Sequence, residues 1–167
     1  MKRRTFLAGT LGASAATLSF ARRAAGANER VVVGVMGIND RGMDLALELA
    51  RLDGVEVRYL ADPDSRLFQS RARVVETRGG RRPECVQDFR RMLDDPEVDA
   101  VAIATPDHWH ALATVLACQA GKDVYVEKPT SHSIWESRKM VEAARKYDRI
   151  VQVGTQNRSA TYCMEAI

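Results

Sequence analysis

Along residues 30–160 of this chain, segments with two different hydrophobic periods alternate. Short runs of β-branched and small apolar residues, such as residues 31–36, are each followed by a longer segment with apolar residues every three or four positions. The short runs are typical of strands and the longer segments of amphipathic helices. Because strands and helices alternate throughout, the pattern predicts an α/β fold with a parallel sheet covered by helices on both faces.

Six strands are predicted, and several residue types mark the ends of the helices between them. Residues 99–105 are nearly all apolar, as expected of a strand buried on both faces, and Asp107 is the predicted N-cap of the helix that follows. Ser133 and Glu136 predict a capping box for a later helix. Strands are predicted at residues 31–36, 55–61, 85–86, 99–105, 123–126 and 150–153, and helices start near residues 42, 63, 89, 107 and 133.

The first predicted strand runs directly into a glycine-containing turn. Compared with the pattern G-x-G-x-x-G, the turn has Gly37 and Gly42 but carries Asn39 where the second glycine is expected. Glycines let the backbone approach a ligand closely, and the N-terminus of the following helix offers N–H groups to a phosphate. The pattern predicts a nucleotide site that also includes Asp40 and Arg41, with an ordinary βα turn as the alternative.

An acidic residue ends the second predicted strand. Asp62 lies 20 residues beyond Gly42, where a carboxylate accepts hydrogen bonds from the ribose of adenosine. A carboxylate here repels a 2′-phosphate, which favours NAD as the cofactor, although Arg66 nearby keeps NADP possible. The alternative is a role in capping a helix, which Asp64 can supply equally well.

The predicted topology brings several polar segments to one edge of the sheet. In a Rossmann-type doubly wound sheet with the strand order 3-2-1-4-5-6 and three layers, ligands bind at the carboxyl ends of the strands. Thr105 and Pro106 end the fourth strand, Lys128 follows the fifth, and residues 156–158 follow the sixth. This concentration of polar residues at one edge favours the dinucleotide site over an ordinary turn.

Taken together, four segments resemble the Gfo/Idh/MocA oxidoreductases, and the resemblance covers residues 30–160. It rests on the turn at residues 37–42, on residues 104–110, on Glu127-Lys128-Pro129, and on residues 152–159. The resemblance implies hydride transfer between a nicotinamide and the carbinol carbon of a sugar, a cyclitol or a related compound.

The resemblance also implies roles for individual residues. Lys128 corresponds to the family's lysine, which hydrogen-bonds the reacting hydroxyl and assists proton transfer. Thr105, Pro106, His110 and Glu127 are expected beside the cofactor. Two alternatives stay open: a surface ion pair between Lys128 and Glu127, and a capping or packing role for His110.

Family members continue into a second α/β domain with a mostly antiparallel sheet, which carries the substrate pocket and usually a catalytic His or Asp. This sequence stops at Ile167, so we expect a fragment whose uncovered surface favours association, possible homo-oligomers included. An NAD-dependent glycosidase of the same superfamily and a non-catalytic dinucleotide-binding module are the alternatives to an oxidoreductase.

The basic character of the chain is concentrated in residues 1–27. These hold five of the 25 basic residues and none of the 22 acidic ones, so the remaining residues carry 20 basic against 22 acidic side chains. No basic patch with interleaved aromatic residues occurs, and a nucleic-acid partner is not expected. The Arg3-Arg4 pair, a weakly hydrophobic stretch and the cleavage pattern at residues 25–27 resemble a twin-arginine signal.

We therefore expect a leader at residues 1–27, an NAD(P)-binding domain at residues 28–167, and export to the periplasm by the twin-arginine machinery. The apolar stretch of the leader is too short for a permanent membrane helix. The cysteines show no metal-ligand spacing, so no metal site and no disulfide framework are predicted, and Cys118 is expected in the core.

Overall fold

The computed structural model describes residues 30–159 and residue 163, and the predicted leader lies outside them. Its strands are β1 (Val31–Met36), β2 (Val55–Ala61), β3 (Glu84–Val86), β4 (Ala100–Ile103), β5 (Asp123–Glu127) and β6 (Val151–Gly154). Its α-helices are α1 (Arg41–Leu49), α2 (Phe68–Gly79), α3 (Arg90–Leu93), α4 (Asp107–Gln119) and α5 (Ile134–Lys146), with 3₁₀ turns at Ser65–Leu67 and Gln156–Ser159.

The six strands form one parallel sheet in the order β3-β2-β1-β4-β5-β6, which confirms the predicted topology. The chain moves outward from β1 to β3 and then returns to place β4 on the other side of β1. Loops that leave the carboxyl ends of β1 and β4 therefore diverge to opposite faces, and a cleft opens between them.

The apolar strand residues supply a core on both faces of the sheet. Val33 and Val35 of β1 pack with α1 and α2, whereas Val32 and Met36 pack in a second cluster with α3, α4 and α5. Since successive side chains of a strand point to opposite faces, an all-apolar strand suits a sheet covered on both sides. Cys118 is fully buried in the second cluster, as predicted.

Two predicted helix starts are wrong in detail, and one is confirmed. Pro106 rather than Asp107 caps α4, because Asp107 already has a place in the first helical turn and makes no capping bond. Pro63 does not start a helix: Asp64 caps a 3₁₀ turn and α2 begins only at Phe68. The capping box of Ser133 and Glu136 is present as predicted, with both of its hydrogen bonds.

Within the described residues, no helix is both long enough and apolar enough to cross a membrane.

Candidate functional site

The turn after β1 brings two stretches of backbone close together. Gly37 has a φ of +81°, and a Cβ added to it would lie 2.8 Å from the carbonyl oxygen of Ala104. A Cβ on Gly42 would collide with the carbonyl oxygen of Gly37. A side chain at either position would therefore clash with the backbone. The turn leads directly into α1, whose first amides have no partner within the helix. Free amides at a helix N-terminus suit a phosphate, so the turn fits a dinucleotide.

Asp62 supports this turn from the end of β2. Its carboxylate accepts the amide of Ile38 at 3.0 Å and the amide of Asp64 at 2.9 Å. Each carboxylate oxygen holds one of these bonds and keeps a further acceptor site. Asp62 can therefore orient the turn and still accept a ribose hydroxyl, while Asp64 supplies the cap that was the alternative role for Asp62.

Asn39 and Asp40 are exposed between the two glycines. Asp40 is the N-cap of α1 without a side-chain capping bond, and the carbonyl oxygen of Asn39 accepts a 2.8 Å bond from the guanidinium of Arg71. The backbone of Asn39 is thus held from α2, and the side chains of both residues are exposed.

Arg41 and Glu127 form a pair across the cleft. The Nε of Arg41 donates to Oε1 of Glu127 at 2.7 Å, although 86 residues separate them in the chain. Burial alone would raise the pKa of Glu127, but the bond from Arg41, with help from the amide of Lys128, holds that pKa below its ordinary value. Glu127 is nearly inaccessible to solvent, so its visible role is to join the turn after β1 to the end of β5.

Tyr125 and Gly154 pack against the Glu127 carboxylate. The hydroxyl of Tyr125 donates to Oε1 of Glu127 at 3.2 Å. A Cβ on Gly154 would collide with that hydroxyl and would lie 3.0 Å from the Glu127 carboxylate. The ends of β5 and β6 are therefore packed tightly around one buried carboxylate.

His110 links the loops that follow β4 and β5. Its side chain is buried, with Nδ1 2.7 Å from the carbonyl oxygen of Pro129 and Nε2 2.8 Å from that of Thr105. A neutral imidazole can donate to one of these carbonyls at a time, and the doubly protonated ring can donate to both. This position matches the packing role that the sequence left open, and it fixes both loops beside the cleft.

Lys128 is exposed at the end of β5, next to a cis peptide bond to Pro129. Its amide donates to Glu127 at 3.3 Å, while among the described residues its ammonium group has no carboxylate within 4.0 Å. The alternative of a Lys128–Glu127 ion pair is therefore wrong in this structure, because Arg41 takes the carboxylate. Lys128 combines a backbone anchored on one side with a free ammonium group.

Thr105 also carries a group without a partner. Its hydroxyl oxygen is buried and has no hydrogen-bond partner among the described residues. Buried hydroxyl groups normally find a partner in a folded protein or its ligand. A polar ligand in the cleft beside Thr105 and Pro106 would supply a hydrogen-bond partner for this hydroxyl group.

A cavity of about 860 Å³ lies between the ends of β2, β3 and β4. Sequence reasoning missed most of its apolar wall, since the helical spacing of Trp109 and Leu112 does not by itself distinguish a cavity wall from the core. In the structure the core side of α4 carries small residues, and Trp109 and Leu112 are 42% and 50% exposed. The cavity is lined by Met36, Gly37, Ala61, Asp62, Pro63, Gln87, Asp88, Phe89, Arg90, Thr105, Pro106, Trp109, Leu112 and Leu116.

The signal for this wall was present in the sequence. A helix with small residues on one face and large apolar residues on the other packs closely on a sheet through the small face. The large residues are then available for a ligand. A flat, largely apolar wall beside a carboxylate suits a purine base attached to a ribose.

His108 and His132 both lie beside the Asp107 carboxylate. Nδ1 of His132 lies 3.3 Å and Nδ1 of His108 lies 3.7 Å from the Asp107 carboxylate, and the bond from His132 lowers the pKa of Asp107. In the part of the chain that the structure describes, no three His, Cys, Asp or Glu side chains are grouped closely enough to hold a metal ion.

The site has two parts. The central cluster comprises Arg41, His110, Glu127 and Lys128, around the ends of β1, β4 and β5. The outer rim comprises Asp62 with the segments 64–66 and 88–90, which follow β2 and β3. The turn at residues 37–42 contacts both parts, because the amide of Ile38 donates to Asp62 and Arg41 donates to Glu127.

Comparison with known proteins agrees with this arrangement. Residues 30–155 match the model of the Gfo/Idh/MocA family, described as an oxidoreductase family with an NAD-binding Rossmann fold. The structure of an NAD binding oxidoreductase from Klebsiella pneumoniae superimposes with a TM-score of 0.70 and 26% identity, over 83% of this chain and 38% of that one.

Two curated relatives are similar over the same region. A glycosyl hydrolase family 109 protein of Shewanella pealeana is 29% identical over 71% of this chain and 27% of its own length. An uncharacterized oxidoreductase of Streptococcus pneumoniae is 32% identical over 70% of this chain and 29% of its own length. The chain thus spans less than a third of the length of these relatives.

Proposed function

The chain belongs to the Gfo/Idh/MocA family of oxidoreductases and carries its NAD-binding Rossmann domain, and from this premise we propose that it serves an enzyme that oxidises or reduces a secondary alcohol of a sugar or cyclitol. Bound NAD would accept or supply the hydride. The observation that carries the proposal is Lys128, whose ammonium group has no carboxylate partner among the described residues and whose backbone is tied to Glu127 at the edge of the cleft.

Binding of the dinucleotide would use both parts of the site. The turn at Gly37 and Gly42 and the amides of α1 would receive the diphosphate. Asp62 would accept the adenosine ribose, and the wall around Trp109 would hold the adenine. Thr105 and Pro106 line the cavity between these positions, and Asn39 and Asp40 would lie beside the diphosphate.

Lys128 would act on the substrate. When a hydride leaves a carbinol carbon, a proton must leave its oxygen, and a cation at that oxygen stabilises the developing negative charge. The ammonium group can donate a hydrogen bond to the alcohol oxygen and relay its proton to solvent. Arg41 and Glu127 would position Lys128 through its amide, and His110 would position it through Pro129.

The direct test is a titration of the purified chain with NAD, followed by the shift in its thermal midpoint and by calorimetry. We expect saturable stabilisation, since a ligand that binds only the folded state raises the free energy of unfolding. Lys128→Met should leave NAD affinity within about twofold, because the proposed role of Lys128 is toward substrate. Absence of any stabilisation by NAD would contradict the proposal.

A second candidate is an NAD-dependent glycosidase, and a specific observation favours it. Several curated relatives, including the one from Shewanella pealeana, are named glycosyl hydrolase family 109 proteins. Sequencing the DNA beyond codon 167 and assaying the longest encoded polypeptide on free sugars and on glycosides would separate the two reactions. Net formation of NADH from a free sugar supports the oxidoreductase, while release of a sugar without net NADH supports the glycosidase.

We further propose that residues 1–27 direct twin-arginine export, on the basis of the paired arginines, the weak hydrophobicity and the cleavage pattern. Replacing Arg3 and Arg4 by lysines should retain the chain in the cytoplasm of a producing bacterium, as measured by fractionation. A periplasmic location that survives the double replacement would contradict this route.

A further inference from the structure

The outer rim contains the same three-residue arrangement twice. Asp64 accepts the amide of Arg66 at 3.0 Å and also binds its guanidinium, with Nε at 2.8 Å and Nη2 at 2.8 Å. Asp88 accepts the amide of Arg90 at 3.0 Å and binds its Nε at 2.9 Å and its Nη2. In each case the aspartate ends a loop that follows a strand, and the arginine two residues later folds back on it.

The two arrangements are neighbours in space. The side-chain amide of Gln87 donates to the carbonyl oxygen of Pro63 at 2.9 Å, which ties the loop after β3 to the loop after β2. The amide of Asp64 donates to Asp62, and Asp88 and Arg90 line the cavity next to Asp62. Both pairs therefore stand beside the carboxylate that the proposed function assigns to the adenosine ribose.

The charges at this rim disfavour binding of a phosphate on the 2′-oxygen of the ribose. A 2′-phosphate on the ribose is usually bound by an arginine near the end of the second strand. Here Arg66 and Arg90 follow the ends of β2 and β3 near Asp62, but each is paired with its own aspartate. The ionised state of these carboxyls is secure at neutral pH, since the bonds from Arg90 lower the pKa of Asp88 to about 2 and those from Arg66 lower that of Asp64.

Arg71 is a further cation near the turn, and its guanidinium group is also hydrogen-bonded. Its Nη2 donates to the carbonyl oxygen of Asn39 at 2.8 Å, so reaching a phosphate would release the turn from α2. Asp62 then leaves the outer rim with a net charge of about −1, counted over Asp62 and the two pairs.

We propose that Asp64 and Asp88 are specificity-determining residues, which exclude NADP by holding Arg66 and Arg90 away from the 2′-phosphate. The inference rests on the proposed placement of the adenosine ribose at Asp62. Exclusion then depends on three carboxylates: one that repels the phosphate and two that withhold the cations it would need.

The test compares the affinities of the purified chain for NAD and for NADP, measured by calorimetry. Asp64→Asn and Asp88→Asn are suitable variants, because an asparagine oxygen still caps the amide two residues later while its negative charge is lost. We expect each variant to bind NADP about three- to tenfold more tightly and the double variant to gain more, so that the ratio of NADP affinity to NAD affinity rises.

Two controls separate released arginines from a general change in charge. Glu76→Gln frees Arg82 from a pair of similar exposure, with a distance of 2.9 Å, that does not line the cavity, and it should leave NADP affinity unchanged. Adding Arg66→Gln and Arg90→Gln to the double variant should remove its gain. The gain should also shrink in high salt, because these pairs are exposed and screened.

The possible failures are distinguishable. A chain that binds neither dinucleotide would overturn the proposed site together with this inference. A chain that binds NAD, but whose Asp64→Asn, Asp88→Asn variant binds NADP no better than the unsubstituted chain does, would overturn this inference alone. An equal gain in Glu76→Gln would also overturn it, since net charge would then explain the effect.

Discussion

The central cluster and the outer rim both rely on charged and polar side chains, but they hold them in different ways. In the central cluster, Glu127 is 5% exposed and His110 is 1% exposed, and their partners lie 86, 19 and 5 residues away in the chain. In the outer rim, Asp64 and Asp88 bind arginines only two residues away and exposed to solvent.

This difference separates two tasks. Buried bonds between distant segments hold loops in place, because breaking one leaves a polar group without solvent or partner. Exposed bonds between near neighbours contribute little to stability, and they mainly decide which charges a ligand meets. The central cluster thus fixes the geometry of the site, while the outer rim sets its electrostatic preference.

The largest effect is expected at the turn that connects the two parts. Gly37→Ala should lower NAD affinity by at least about tenfold and destabilise the fold, because the added Cβ strains a positive φ and meets the backbone of Ala104. Gly80→Ala is the matched control, with a φ of +73° and open space around its Cβ. Equal thermal midpoints and equal NAD affinities for the two variants would contradict the close approach.

The next effect tests the buried histidine of the central cluster. His110→Leu should lower the free energy of unfolding by about 2–4 kcal/mol, because the carbonyls of Thr105 and Pro129 lose their buried donor. His108→Leu, at an exposed position on the same helix, should change it by less than about 0.5 kcal/mol. Chemical denaturation of both variants measures the free energy of unfolding. A small decrease for His110→Leu would mean that the bonds of the central cluster stabilise the fold no more than those of the outer rim.

A smaller effect, with a pH signature, is expected at Glu127. Glu127→Gln should cost about 1–2 kcal/mol at neutral pH, since Arg41 loses its charged partner but remains partly exposed. The folded pKa of Glu127 lies below its ordinary value of 4.5, so the stabilisation is complete above about pH 5 and is lost as the pH falls through the folded pKa.

Denaturation of the unsubstituted chain and of Glu127→Gln across this pH range checks the prediction. The difference between them should shrink below about pH 4.5. Glu142→Gln, which removes an exposed pair with Lys139, should cost less than about 0.5 kcal/mol at any pH. A difference at Glu127 that does not vary with pH would mean that the carboxylate charge is not what holds the cluster.

The smallest effect concerns the apolar wall of the cavity. Trp109→Ala should weaken NAD binding by about three- to tenfold with little change in stability, because the ring is half exposed and lines the cavity. Trp135→Ala, at a more exposed tryptophan that does not line the cavity, should leave NAD affinity unchanged. A similar loss of NAD affinity in both variants would contradict the placement of the adenine against this wall.

The sequence by itself determined the architecture. Alternating hydrophobic periods predicted six parallel strands in the observed order, and local signals placed the capping box at Ser133 and the turn at Gly37 and Gly42. These features follow from interactions between residues close in the chain and from the few topologies open to a parallel sheet. The position of Asp62 and Lys128 at one edge followed from that topology alone.

Only the tertiary structure decided what the polar residues of that edge contact. The sequence left an ion pair between Glu127 and its neighbour Lys128 open as an alternative, whereas the folded chain brings Arg41 to Glu127 from 86 residues away. The helical spacing of residues 107–119 likewise did not show that Trp109 lies outside the core, whereas close packing on the sheet selected the small residues of α4. Which side chain contacts a given group depends on how distant segments are arranged in three dimensions. The hydrophobic period of a local segment carries no information about that arrangement.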